Sequence, residues 1–557
     1  MSADFALRAN VVDIHNKTTR PGTIRVAGGR IERIEHDTPG TAPDPALPYA
    51  LPGFVDAHVH VESSLLVPAE FARLAVVHGT VATVSDPHEI GNVLGVAGVE
   101  FMLDNARQSP FHFCFGAPSC VPATAFETAG AVITADDIEA LFQRPEIGYL
   151  AEMMNWPGVL HHDADVMRKI ALAQQYGRPV DGHAPGLRGD DARRYAAAGM
   201  STDHECFTAE EALDKLACGM HILIREGSAA RNFDALVDLL HEHSARIMFC
   251  SDDKHPDSLV LNHIDELVRR AVARGIEVWK VLQAACLNPV QHYRLTDLGQ
   301  LREGDAADFI VVDNLQDFRV QQTYLRGALV AEQGRALLPP GRNGAPNNFV
   351  ARPVQPADFA LGAPDATAAG AARVRAIRCY DGQLITAADP ASVPVLAGLL
   401  VPDVANDVLK LTVVNRYQPD ARPAVAFIRG FGLQRGALAS SVGHDSHNIT
   451  AVGCSDEALA RAVNLVIEAK GGLAAVGDNG EELLLPLPVA GLMSDGEGYA
   501  VAEAYTAVDQ LAKHLGSPLR APFMTLSFMA LLVIPALKLS DKGLFDGEKF
   551  EFVPVLM

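Results

Sequence analysis

His58 and His60 stand two residues apart in Phe54-Val55-Asp56-Ala57-His58-Val59-His60-Val61, where apolar and polar residues alternate. A strand sends residues two apart to the same face, so both imidazoles project together from the end of one buried strand, as half of a divalent-metal site would. Alone, such a pair reads first as two hydrogen-bonded core histidines, because histidine has many structural uses. The choice depends on whether further ligand-type residues recur at corresponding places downstream.

They do. Strands are expected near residues 55–60, 80–85, 112–116, 148–153, 179–183, 200–204, 221–226 and 246–252, with helices following them at 68–77, 93–107, 164–176, 190–198, 209–218, 232–243 and 258–274. Eight alternating β and α units predict a parallel sheet closed into a (β/α)8 TIM-like barrel, in which reactive groups sit where the strands end. Those ends carry His58 and His60, Asp86 followed by His88 and Glu89, Glu152, His183, His204, Glu226, and Asp252 followed by Asp253. Four imidazoles, a glutamate and an aspartate suit two divalent ions held by mixed nitrogen and oxygen ligands, with Glu152 as the bridging carboxylate. Two such ions can share a hydroxide that is nucleophilic near neutral pH, and Asp252 would take its proton. This is hydrolase chemistry.

The remaining chain is assigned around the barrel. Short strands in residues 1–50, with a Gly28-Gly29 hairpin turn, pair in expectation with runs at 308–313 and 322–330. This gives a composite β-sandwich domain from 1–50 plus 298–336, a metal-binding barrel over 51–297, and a C-terminal α+β domain over 353–557. The linker is turn-rich, with Pro339-Pro340-Gly341 and Asn343-Gly344-Ala345-Pro346. A helix at 277–287 is expected to stop near Asn288-Pro289. In the last third, His444, Asp445 and His447 are read as a polar loop packed against the barrel or a partner subunit, rather than as a metal site.

Composition narrows the function class. A net charge of -22 with no Lys/Arg run argues against nucleic acid. The start of the chain lacks a basic segment followed by an apolar one, and the most apolar run, 523–537, is too short to span a bilayer, which makes it a buried strand or helix. Eight scattered cysteines without a Cys-x-x-Cys pair indicate neither disulfides nor a thiolate zinc site. A cytoplasmic protein without membrane contact is expected.

Several segments together carry a family resemblance: Pro52-Gly53-Phe54-Val55-Asp56-Ala57-His58-Val59-His60, Glu62-Ser63-Ser64, Ser85-Asp86-Pro87-His88-Glu89-Ile90, Glu152-Met153-Met154-Asn155, Gly182-His183-Ala184-Pro185, Thr202-Asp203-His204-Glu205, Arg225-Glu226-Gly227-Ser228 and Ser251-Asp252-Asp253-Lys254. The chain resembles the adenine deaminase branch of the amidohydrolase superfamily over nearly its whole length. The resemblance implies hydrolytic deamination of adenine to hypoxanthine and ammonia, with His58, His60, Glu152, His183, His204 and Asp252 holding two divalent ions, Mn2+ or Fe2+. The strand-four lysine that bridges metals in other branches is absent, since that strand ends Leu150-Ala151-Glu152-Met153. For proton transfer, Glu62, Glu89, Glu205 and Glu226 are candidates, with Glu226 preferred because it ends a strand and Glu62 kept beside it. Asn155, Arg225 and Ser228 are candidate contacts to purine nitrogens, while His88, Glu89 and Asp203 are expected to orient the ligands. The expected partners are a small purine base and a second copy of the chain in a homodimer. Competing readings are deamination of a related purine such as N6-methyladenine, hydrolysis of another cyclic amidine or amide, and a non-catalytic metal-binding scaffold.

Overall fold

The structure is a computed structural model describing residues 4–38, 40–341, 344–363 and 370–557, so Asn343 of the linker and the first three residues lie outside it. Eight parallel strands follow one another at Phe54–Val59, Thr80–Ser85, His112–Ala117, Ile147–Met153, Val180–Gly182, Thr202–Asp203, His221–Arg225 and Ile247–Cys250. The first five form one hydrogen-bonded sheet and the last three another. Parallel bridges Val180↔Met200 and Val59↔Asp252 join the two sheets at both seams, which closes the ring. Inside it pack Ala57, Val84, Cys114, Tyr149, Ala151, Leu223, Met248 and Cys250, all buried. Alternate residues from successive strands thus fill the barrel, leaving only its C-terminal mouth for chemistry.

Most connecting helices lie where the apolar periodicity puts them, such as Pro68–Ala75, Ala164–Gln175, Gly189–Ala197 and Ala209–Ala217. The segment expected as one helix over 232–243 is broken into short turns, Phe233–Leu236, Val237–Leu239 and Leu240–His243. The helix expected to stop at Asn288-Pro289 instead continues: Val278–Leu282 widens into a π turn at Gln283–Leu287 and resumes as Asn288–His292. The wider turn accommodates a proline that cannot donate to the helical ladder, and the Asn288 amide donates to the carbonyls of Ser244 and Ile247, both at 2.7 Å.

The two flanks of the barrel meet in one eight-stranded sheet, in which Phe309–Val312 pairs antiparallel with Tyr49–Pro52, and Tyr49–Pro52 in turn pairs parallel with Phe5–Asp13. Beyond residue 360 a ten-stranded sheet carries the helix Asp456–Ala469. The apolar 523–537 run is a short helix, Pro522–Ser527, a 3-10 turn, Phe528–Ala530, and the start of strand Leu537–Ser540; nearly all of its apolar side chains are buried. Among the described residues, no helix is long and apolar enough to cross a membrane.

Candidate metal centre

The bond that closes the barrel also builds the site. The Asp252 N–H donates to the His58 carbonyl at 2.9 Å, so the last strand is pinned to the first at the two residues whose side chains converge. Asp252 takes a left-handed conformation, φ +54°, which Asp tolerates better than most residues and which turns its carboxylate toward the histidines. Behind it, Asp56 accepts from Ser251 N (2.9 Å) and from His263 Nε2 (2.8 Å), fixing the same seam.

The side chains form two sets. His58 Nε2 and His60 Nε2 approach to 3.2 Å. Asp252 Oδ1 lies 3.8 Å from His58 Nε2 and 3.4 Å from His60 Nε2. Glu152 Oε2 is 3.8 Å from His58 Nε2, while Oε1 is 3.7 Å from His60 Nε2. On its other side Glu152 Oε2 lies 3.0 Å from both His183 Nδ1 and His204 Nε2. All six residues are buried, 6% exposed at most. Edges of this length are those of donors about 2.0–2.2 Å from a common divalent ion. His60 Nδ1 faces the Asp86 carbonyl at 3.2 Å, which places the ring's proton there and leaves the Nε2 lone pair turned to the carboxylates, the form in which an imidazole ligates a metal. The residues therefore fit a divalent-metal site, with Glu152 belonging to both sets.

Electrostatics agree with a ligand role for the carboxylates. Burial pushes Glu152 upward, but His183 and His204 outweigh it and hold the carboxyl well below its ordinary range. Burial likewise opposes ionisation of Asp252, and Arg225 with His60 overcomes it.

The residues expected to orient the ligands lie around this centre. Asp86 accepts from His88 N at 3.1 Å and from Glu152 N at 3.2 Å, tying the ends of strands two and four. His88 Nδ1 lies 3.5 Å from Glu152 Oε1. Asp203 accepts from Ala184 N (3.0 Å) and Glu205 N (2.9 Å), the neighbours of His183 and His204, and is paired with the buried Lys215 at 3.0 Å.

Other candidates are placed elsewhere. Glu226, expected at the rim as a proton donor, points away: it pairs with Arg270 at 2.9 Å and Arg231 at 3.4 Å, and does not line the cavity over the ligands. Arg225 is not free to bind a purine, because it spends its guanidinium on Glu205 and, at 2.5 Å, on Asp252 Oδ2. Ser228 accepts from His255 N and bonds Ser258, and Asn155 caps the helix Trp156–Leu160 through Gly158 N at 2.9 Å. Glu62 is buried, accepts from Ile90 N at 3.2 Å, and is pushed by burial up to about 7.

The cavity is closed by residues far away in sequence. Its wall on the barrel side is His60, His88, Glu89, Glu152, Met154, His183, His204, Glu205, Asp252 and Asp253; its roof is Leu384, His444, Asp445, Phe528 and Leu531. The 443–447 loop does pack against the barrel, and it does so on the site itself: His444 Nδ1 and His447 Nε2 each contact one oxygen of Glu89. Sequence reasoning left this roof out because its parts come from three separate segments. The available signal was the polar run Gly443-His444-Asp445-Ser446-His447-Asn448, enclosed between apolar strands.

Residues 49–330 match the amidohydrolase family, and residues 383–551 match the adenine deaminase C-terminal domain. The chain is 56% identical over 99% of its length to adenine deaminase of Salinibacter ruber, again covering 99% of that protein. It is 52% identical to adenine deaminase of Sulfurovum sp. (98% of this chain, 99% of that one) and 44% identical to that of Borreliella burgdorferi (99% of both). The chain belongs to the adenine deaminase family of amidohydrolases. In that family's terms the candidate metal ligands come from the amidohydrolase barrel, and the roof comes from the segment matching the family's own C-terminal domain.

Proposed function

We propose that the chain hydrolyses adenine to hypoxanthine and ammonia. The observation that carries this is the pair of ligand sets sharing Glu152 beneath an enclosed roof, in a chain that aligns end to end with proteins named adenine deaminase. His58, His60, Glu152 and Asp252 would hold one divalent ion, and Glu152, His183 and His204 a second, with Mn2+ or Fe2+ as the expected metals. Bound there, the ions supply the Lewis acidity that makes water nucleophilic near neutral pH.

The chain's own groups handle protons and position. Asp252 keeps Oδ2 on Arg225 and turns Oδ1 to the histidines, so one oxygen is anchored and the other stands among the ligands, where it would both help hold the ion and accept the proton of the attacking water. Arg225, neutralised by Glu205, orients Asp252 rather than the purine. Attack at C6 needs a proton on a ring nitrogen, and we assign its supply to the Glu89–His444 pair. Burial pulls His444 down, but Glu89 and Asp253 hold it up at about 9, so the pair carries a proton at neutral pH inside the cavity. The protons balance: Asp252 takes one from the attacking water and passes it to the exocyclic amine, which leaves as ammonia; the pair's proton stays on the ring nitrogen, and the proton lost as the new C6 hydroxyl becomes a carbonyl returns to the pair. Met154, Leu384, Phe528 and Leu531 give the planar base apolar faces and exclude bulk water. A cytoplasmic homodimer is the proposed form of the protein.

A purine panel assayed for ammonia release, with manganese or iron supplied, tests the reading. Adenine should be the best substrate. Turnover of a cyclic amide with adenine inert would overturn it.

A further inference from the structure

Asp445 has no duty in the chemistry above, although it is buried, 3% exposed, and lines the cavity roof. Its loop is held from several sides. The Tyr417 hydroxyl donates to the Ser446 carbonyl (2.7 Å), His447 N to the Gly443 carbonyl (2.7 Å), Asn448 Nδ2 to the Thr128 carbonyl (2.9 Å), and His444 N to the Ser527 carbonyl (3.2 Å). The His444 ring stacks on Phe528 at 5.3 Å between centroids. In this anchored loop Asp445 is left open. Its Oδ2 is buried without a hydrogen-bond partner, and Oδ1 faces His88 Nε2 at 3.6 Å and His444 Nδ1 at 3.9 Å, both beyond hydrogen-bond range. A buried acceptor without a donor is costly, and a ligand donor is what removes that cost.

Position identifies the donor. Asp445 lies one imidazole away from the metal-ligand cluster: His88 reaches Glu152 Oε1 at 3.5 Å with Nδ1 and Asp445 Oδ1 at 3.6 Å with Nε2. A purine whose C6 faces the Glu152 cluster turns its other ring toward the roof. In a free base that ring carries an imidazole N–H; in a nucleoside the same nitrogen bears the sugar and donates nothing. We propose that Asp445 accepts this imidazole N–H and is the specificity-determining residue that selects free purine bases over N9-substituted purines. This selectivity rests on adenine being the substrate. It also gives the C-terminal segment a defined role, since the barrel supplies the reaction and the roof reads the edge of the base that does not react.

A site built to bond a substrate N–H rejects the analogue lacking it by roughly 10^4-fold or more. The test compares kcat/KM for adenine and 9-methyladenine, with hypoxanthine inhibition constants and metal content measured in parallel, in wild type, Asp445→Ala and Asp445→Asn. The expected result is a strong wild-type preference for adenine that falls by at least roughly 100-fold in D445A, through loss on adenine and not on 9-methyladenine. D445N, which keeps a carbonyl acceptor of the same shape, should retain an intermediate preference, and it reads the ratio if D445A does not fold. The proposal is overturned if wild type does not discriminate, if the ratio is unchanged in both variants, or if both substrates lose equally at normal metal content. Wild type inert on adenine would instead sink the substrate reading itself.

Discussion

The barrel rim and the roof enclose one cavity but are built on opposite principles. On the rim, the carboxylates around the ligands are tied to cations or backbone N–H groups: Asp252 to Arg225, Glu205 to Arg225, Asp203 to Lys215, Asp86 to the backbone of His88 and Glu152. In the roof, Leu384, Phe528 and Leu531 surround one polar loop whose Asp445 Oδ2 and His444 Nε2 are buried without hydrogen-bond partners. The contrast separates what the two regions do. Paired carboxylates fix charge and geometry for a reaction that does not vary, whereas an unpartnered carboxylate oxygen in a largely apolar frame is open to a donor that a ligand supplies.

The largest effect should come from the rim. Asp252→Asn keeps the shape of the side chain but removes the proton acceptor and an ionic partner of Arg225, and turnover is expected to fall by roughly 10^3-fold or more with the fold retained by circular dichroism. Near-normal kinetics in that variant would show that the rim's charge network does not serve the reaction. His444→Asn, in the roof, removes the group assigned to carry the proton with Glu89; a loss of about 10^2-fold in kcat is expected, with metal content unchanged. If metal content falls instead, the roof shares the rim's function and the division fails.

How far each region was readable follows from the same contrast. The rim was legible because its residues sit at the ends of periodic strands: His58, His60, Glu152, His183, His204 and Asp252 recur in step with the βα units, and the structure brings them together. Glu226 followed that periodicity too, yet it faces Arg270 and Arg231, because the side on which a residue leaves a strand end depends on local pairing and not on sequence position. Of the roof only the 443–447 loop was read from sequence, as packed against the barrel or a partner; that it meets Leu384 and Phe528 over the ligands depends on long-range packing between the ten-stranded sheet and the barrel. Among smaller elements, the helix Ala135–Leu141 went unassigned from sequence, although Thr134 and Asp137 form a capping box at its start.

The smallest expected effect concerns how the roof is held. Lys538 is fully buried and donates to the carbonyls of two roof residues, Leu384 at 2.6 Å and Phe528 at 2.8 Å. Burial lowers its pKa from the ordinary 10.5 to about 7. Because the folded state then binds fewer protons than the unfolded chain between these values, this group makes stability rise with pH from about 7 to about 10.5. Lys538→Met should flatten the rise of Tm across that window relative to wild type, and the same KM for adenine in both proteins would mean that the clamp supports the roof without shaping the pocket. An unchanged Tm profile would contradict the assigned shift.

Everything proposed for the rim depends on Glu152 belonging to two ligand sets at once, and metal analysis of wild type and Glu152→Ala probes that sharing without an intermediate step. Two divalent ions per chain are expected in the active wild type, and both should be lost from E152A, with ammonia release from adenine lost alongside. A fully active wild type holding no metal, or an E152A that keeps two ions, would refute the shared ligand.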